Sequence, residues 1–188
     1  MPSVFEQNAV YLQSGNPKGE DVATLHAPGT LGARFTVQYP TNRNTPAVPP
    51  RALRFQIVKV DAAAAAAPVV GGPAYWSDRA NYVVTTAGGT ALNQVAGVFN
   101  NAITRGNYGC IQFGGPCYVR ASDANVAAAV AGTDAIVGGA ANLGVLVAGG
   151  TAPGTVPIGT VASPKATNTT GGTGNHLVLV DLLLPDVL

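Results

Sequence analysis

VAGVFNNAITRGNYGCIQFGGPCYVR, residues 95–120, holds two runs of strand-forming residues, five glycines and both cysteines of the chain. Gly97, Gly106, Gly109, Gly114 and Gly115 cut its apolar residues into short pieces, the pattern of a backbone that reverses often and pairs with itself. Glycine tolerates the positive φ of a two-residue turn, so Gly114 and Gly115 predict a tight hairpin joining 109–113 to 117–120. With Gly114 and Gly115 as the loop, Gln112 faces Cys117 and Cys110 faces Val119, which leaves the thiols on a diagonal about 7–8 Å long. If the loop also takes in Pro116, Phe113 faces Cys117 and Cys110 points to the other side of the sheet. Either register predicts two free thiols.

The flanks continue in the same style. RFTVQY, residues 34–39, alternates Phe35, Val37 and Tyr39 with polar residues and predicts a strand with one wet face. In residues 53–60, Leu53, Phe55 and Ile57 share one face while Val58 and Val60 fall on the other. That phase change predicts either a bulge near Ile57 and Val58 or a strand end buried on both sides. The alanines at 62–67 favour helix but are too few to hold one, and Pro68 follows; they predict a loop with room for one helical turn. Further short strands are expected in 69–76, 82–86, 136–137, 143–148 and 158–161. Residues 126–131 fit a helix or a strand. HLVLVDLLL, residues 176–184, is nearly unbroken in apolar character and predicts a strand buried on both faces.

Eight to ten short strands between turn clusters predict an all-β fold: one domain, over residues 33–188, built as a β-sandwich or β-barrel of short antiparallel strands with long loops. Residues 1–32 show no sustained period and are rich in turn formers, and so read as an extended N-terminal arm. Such an arm can wrap a neighbouring subunit or serve as a loose terminus. Composition agrees with the β assignment, because 24 glycines and 14 prolines in 188 residues disfavour long helices.

Charge restricts the partners. Ten Lys and Arg stand against nine Asp and Glu, a net charge of +1, so no basic field exists to hold nucleic acid. A surface this poor in charge suits a protein that is partly covered by a partner. The N-terminus shows no signal peptide, and no apolar stretch approaches the roughly 20 residues of a membrane span.

Chemistry is poorly served. His26 and His176 lie far apart in sequence and lack the close ligand pairs of a zinc site with Cys110 and Cys117. No nucleophile elbow, metalloprotease helix or phosphate loop is present, and GGAANLG at 138–144 reads as a turn. These features predict no enzyme, no metal and no cofactor. Asn168 begins a glycosylation sequon that carries little weight without a leader. Tyr75, Trp76 and Tyr82 could form a carbohydrate-stacking platform, with Asp78 and Arg79 beside it; the alternative is a strand-end ion pair next to core aromatics.

The order of segments resembles that of the head decoration, or cement, proteins of tailed bacteriophages. LGARFTVQY leads to RFQIVKVDAAA, PVVGGPAYWSDRANYVVTT and VAGVFNNAITRGNYGCIQFGGPCYVRA, and the chain closes with PIGTVASP and HLVLVDLL. The resemblance spans about four-fifths of the chain, through packing and turn motifs; the alanine run and the long arm depart from it. It implies a structural virion protein, made in the host cytoplasm, that binds the exterior of an assembled capsid as a trimer or other small oligomer. Its partners would be the major capsid protein and other copies of itself, with Phe5, Val10, Tyr11 and Leu12 as arm contacts. A tail or baseplate component, or a carbohydrate-binding β-sandwich, are the other readings of the same composition.

Overall fold

The computed structural model describes residues 31–38, 52–88, 94–121, 132, 134–138, 146–147, 155–163 and 176–184. The regular elements among them are all strands: β1 (Arg34–Gln38), β2 (Ala52–Val60), β3 (Pro73–Asp78), β4 (Val83–Thr85), β5 (Val95–Phe99), β6 (Tyr108–Ala121), β7 (Asp134–Gly138), β8 (Leu146–Val147), β9 (Thr155–Ser163) and β10 (His176–Leu183). The fold is all-β. Pairing runs β1-β2-β4-β3-β5-β6-β10-β9-β7-β8, and β2 also pairs with β6. That second pairing closes β2, β4, β3, β5 and β6 into a ring, a five-stranded barrel from which β10, β9, β7 and β8 continue as an outer sheet. All pairings are antiparallel except β2 with β4, where Lys59 stands beside Val83 and Val60 beside Val84.

Two cores follow from the two faces of these strands. Val58, Val60, Ala74, Val84, Ala96, Phe99 and Ile111 fill the barrel, with Ala64 and Ile103 from its loops and Trp76 packed partly buried against them. The neighbouring side chains Tyr75, Val95 and Val98 point the other way, onto the outer sheet's Val178, Val180, Leu182, Ile158 and Val161. Each fully buried side chain of this size contributes about 1.5–3 kcal/mol relative to exposure.

Residues 95–120 hold the main departure from expectation. Residues 108–121 form one 14-residue strand and not a hairpin. Gly114 lies opposite Arg54 of β2 and Leu183 of β10, while Gly115 lies opposite Leu182 and Pro116 opposite Asp181. Each residue of the supposed turn therefore has a partner on another strand, and that pairing wins over local turn propensity. Gly115 keeps a positive φ of 79°, and a Cβ there would collide with the Ala52 carbonyl oxygen, so its glycine serves close approach and a bend. Gln112, 3% exposed, caps the bend: its Nε2 donates to the carbonyls of Pro116 (2.7 Å), Gly114 (3.1 Å) and Gly115 (3.4 Å). Its Oε1 accepts from Asn100 Nδ2 at 3.3 Å.

β2 is buried on both sides over Phe55, Gln56, Ile57 and Val58, and its pairing with β6 shifts register between Arg54 and Phe55 and not at Ile57. Phe35 of β1 stacks on Phe55 with ring centroids 5.4 Å apart. The Arg34 and Arg54 guanidiniums lie 5.2 and 5.0 Å from the centre of the Phe113 ring, fastening β1 and β2 to β6. The alanine run is a loop. Asp61 starts it by accepting from Ala63 N, and the Thr86 hydroxyl accepts from Ala66 N and donates to Ala66 O.

Candidate partner-binding surface

β10 was expected to be buried on both faces, and it is not. Alternate side chains of a strand point to opposite sides. Val178, Val180 and Leu182 enter the core, followed just past the strand by Leu184, so Leu177, Leu179, Asp181 and Leu183 share the outer face. Directly opposed residues of an antiparallel pair lie on the same face. β6 therefore adds Arg120 beside Leu177, Tyr118 beside Leu179 and Pro116 beside Asp181, and β9 adds Thr160 on the far side of Asp181. Leu183 is 67% exposed and Tyr118 44% exposed. Gly71 accepts from Arg120 N, and a Cβ on it would lie 2.8 Å from Leu177 Cδ2, so the turn that carries exposed Val70 borders this face.

Among the described residues the exposed large hydrophobics are Val70, Tyr82, Tyr118 and Leu183. Two of the four, Tyr118 and Leu183, lie on this face, and Val70 is on the turn that borders its Leu177 end. The face is an apolar strip with Arg120 near one end and Asp181 toward the other, where the Arg54 guanidinium also lies over Gly114 beside Leu183. One signal in the sequence marks it: Asp181 stands in phase with Leu177, Leu179 and Leu183, where a core strand would not carry a carboxylate.

The other candidate residues disperse. Phe5, Val10, Tyr11 and Leu12 lie outside the described residues, as do His26, Asn168 and the segment 126–131. His176 opens β10. Tyr75 is fully buried in the core between barrel and outer sheet, and burial pushes its hydroxyl up to about 12. The platform of Tyr75, Trp76 and Tyr82 therefore lacks its first ring. Trp76 is half-buried with the Arg79 guanidinium 5.7 Å from its ring centre, and Tyr82 is exposed with a φ of 53°. Asp78 accepts from Asn81 Nδ2 at 2.7 Å and Asn81 N at 3.2 Å, and these bonds hold its carboxyl below its usual range.

Cys110 and Cys117 are free thiols, both buried. The outcome matches expectation but the reason differs: they sit seven residues apart on one strand, about 23 Å at ordinary rise, far beyond the 7 Å limit for a bridge. Burial pushes the Cys110 thiol up to about 12 and the Cys117 thiol further still, so neither is a nucleophile at neutral pH. Among the described residues no three His, Cys, Asp or Glu side chains come together in a metal-binding group, and no helix is long and apolar enough to cross a membrane. No protein-family model, curated protein or solved structure matches this chain.

Proposed function

We propose that the chain is a structural protein of a tailed-phage virion, binding the exterior of an assembled capsid and cementing adjacent capsomers. The observation that supports this reading is the coincidence of the resemblance with the folded body. RFTVQ, RFQIVKV, PAYWSD, VVT, VAGVF, YGCIQFGGPCYVRA, PIGTVAS and HLVLVDLL lie within β1 to β6, β9 and β10, so the segments that resemble decoration proteins are the walls of one connected sheet.

A closed barrel sharing a strand with a second sheet suits such a role. A subunit that binds only the assembled lattice stabilises it by mass action, about 2.7 kcal/mol per site at a free concentration one hundred times Kd. Stiffness keeps that free energy from being lost to ordering the binder. The partners are the major capsid protein and further copies of the chain, with Phe5, Val10, Tyr11 and Leu12 as arm contacts to the lattice.

The test is sedimentation of the purified protein with capsids that lack it. Saturable co-sedimentation and a higher capsid melting temperature are expected. Binding to isolated tails but not to capsids would transfer the chain to the tail or baseplate, and binding to neither would end the virion reading.

A further inference from the structure

We infer that Tyr82 is a latch on the root of the N-terminal segment: its ring covers Gly32 and holds the turn by which the thirty residues before Leu31 enter β1. This rests on the junction of β1, β2 and β4 and is independent of capsid binding.

β1 and β4 share the edge of β2 that lies away from β6. β1 runs antiparallel along Ala52–Gln56, and β4 runs parallel along Lys59 and Val60. The edge changes hands at Ile57, whose N–H donates to Ala33 O and whose carbonyl accepts from Gly32 N, both at 2.9 Å. Two residues on, Lys59 N donates to Tyr82 O at 3.0 Å. Because β1 is antiparallel to β2, a chain that entered β1 straight would lie along the stretch of β2 already held by β4. It must therefore turn off the sheet at Gly32.

Gly32 makes that turn with a φ of 83°, and a Cβ on it would collide with Cδ2, Cε2 and Cζ of the Tyr82 ring. Gln56 Nε2 donates to Gly32 O at 3.2 Å, so the residue is held through its N–H, its carbonyl and its bare α-carbon.

Tyr82 is a costly residue for this position. Among the described residues it is the one non-glycine with a positive φ, 53°, a region where a bulky side chain is strained and where glycine or asparagine sits more easily. The surroundings enforce it: Tyr82 N donates to Arg79 O at 3.2 Å, its carbonyl accepts from Lys59 N, and its ring lies on Gly32. The side chain is exposed and belongs to neither core, so filling the interior does not account for it. Its ring closes the gap where β1 ends and β4 begins along β2.

The experiment is native-state amide hydrogen exchange on the full chain, comparing wild type with Y82F and Y82N. Y82F keeps the ring; Y82N removes it while tolerating the positive φ, so the fold is spared, which its melting temperature checks. The reporters are the amides of Gly32 and Ile57, and the control on the same strand is Val60, whose N–H donates to Asn107 O. Y82N should speed exchange at Gly32 and Ile57 by about tenfold or more and leave Val60 within about twofold, as local opening requires, and Y82F should match wild type at all three. Unchanged Gly32 and Ile57 in Y82N, an equal rise at Val60, or a Y82F that behaves as Y82N would each overturn the proposal.

Discussion

Gln112→Leu should destabilise the protein by about 2–4 kcal/mol, because the two N–H groups of one side-chain amide are shared among three carbonyls at the bend of β6. Gln112 Nε2 donates to Pro116 O at 2.7 Å, Gly114 O at 3.1 Å and Gly115 O at 3.4 Å. A buried acceptor left without a donor costs about 1–3 kcal/mol. Gly114 is buried and bears the full penalty, whereas Gly115 and Pro116 are half-buried, so water offsets part of theirs. Against a typical total of about 5–15 kcal/mol, the loss is large. Gln112→Glu is the sharper probe, since it keeps the shape and replaces the donor with a carboxylate oxygen facing three acceptors. Burial and the facing carbonyls raise the folded-state pKa of the new carboxyl above its unfolded value of about 4.3. The variant is therefore closest to wild type below pH 4 and loses stability as pH rises through the folded-state value. Urea unfolding followed by Trp76, the only tryptophan, measures both. A Gln112→Leu loss under about 0.5 kcal/mol, within the usual range for surface changes, would refute the capping role. So would a Gln112→Glu variant whose deficit is the same at pH 4 and pH 8.

Gly97→Ala places a Cβ 2.5 Å from the Gln112 carbonyl oxygen, so β5 and β6 must part; thermal melting should show a loss of about 1–3 kcal/mol, the usual cost of overpacking. Cys110 and Cys117 should resist iodoacetamide at pH 8 in the native protein and both label once it is unfolded; native labelling at the rate of a peptide thiol would contradict their burial. Cys110 and Tyr75 are both pushed up to about 12, so the stability linked to them is fully present below their ordinary values and lost as pH rises toward 12. Urea midpoints at pH 8, 10 and 11 should fall in that order.

Alternation and glycine spacing made the β class legible, and Phe35, Ile57, Val58 and Val60 already announced strands with particular faces. Local chemistry could not say that Gly114 and Gly115 lie inside a strand, because their role is decided by Arg54 and Leu183, some 60 and 70 residues away in sequence. Ring closure was hidden for the same reason: the pairing of Ile57 with Cys110 is non-local and leaves no periodic trace. The outer face of β10 was misread because leucine at 177, 179 and 183 looks the same whether it meets a core or a surface. Asp181 was the one residue in HLVLVDLL that distinguished the two. The free thiols were foreseen through a register that does not exist, so the agreement there owes nothing to the hairpin.

β6 belongs to both the barrel and the outer sheet, and this sets the order in which a growing chain can fold. β2 waits about fifty residues for its partner on β6, and the 114–121 half of β6 waits about sixty more for β10. Pairings of such range place the chain among the slow folders, in milliseconds to seconds. The strip of Leu177, Leu179, Asp181 and Leu183 comes into being only when β10 is laid down, the last described strand. A chain whose β10 has not yet been laid down therefore lacks that strip. The strip cannot be presented until β6 and β10 are both in place.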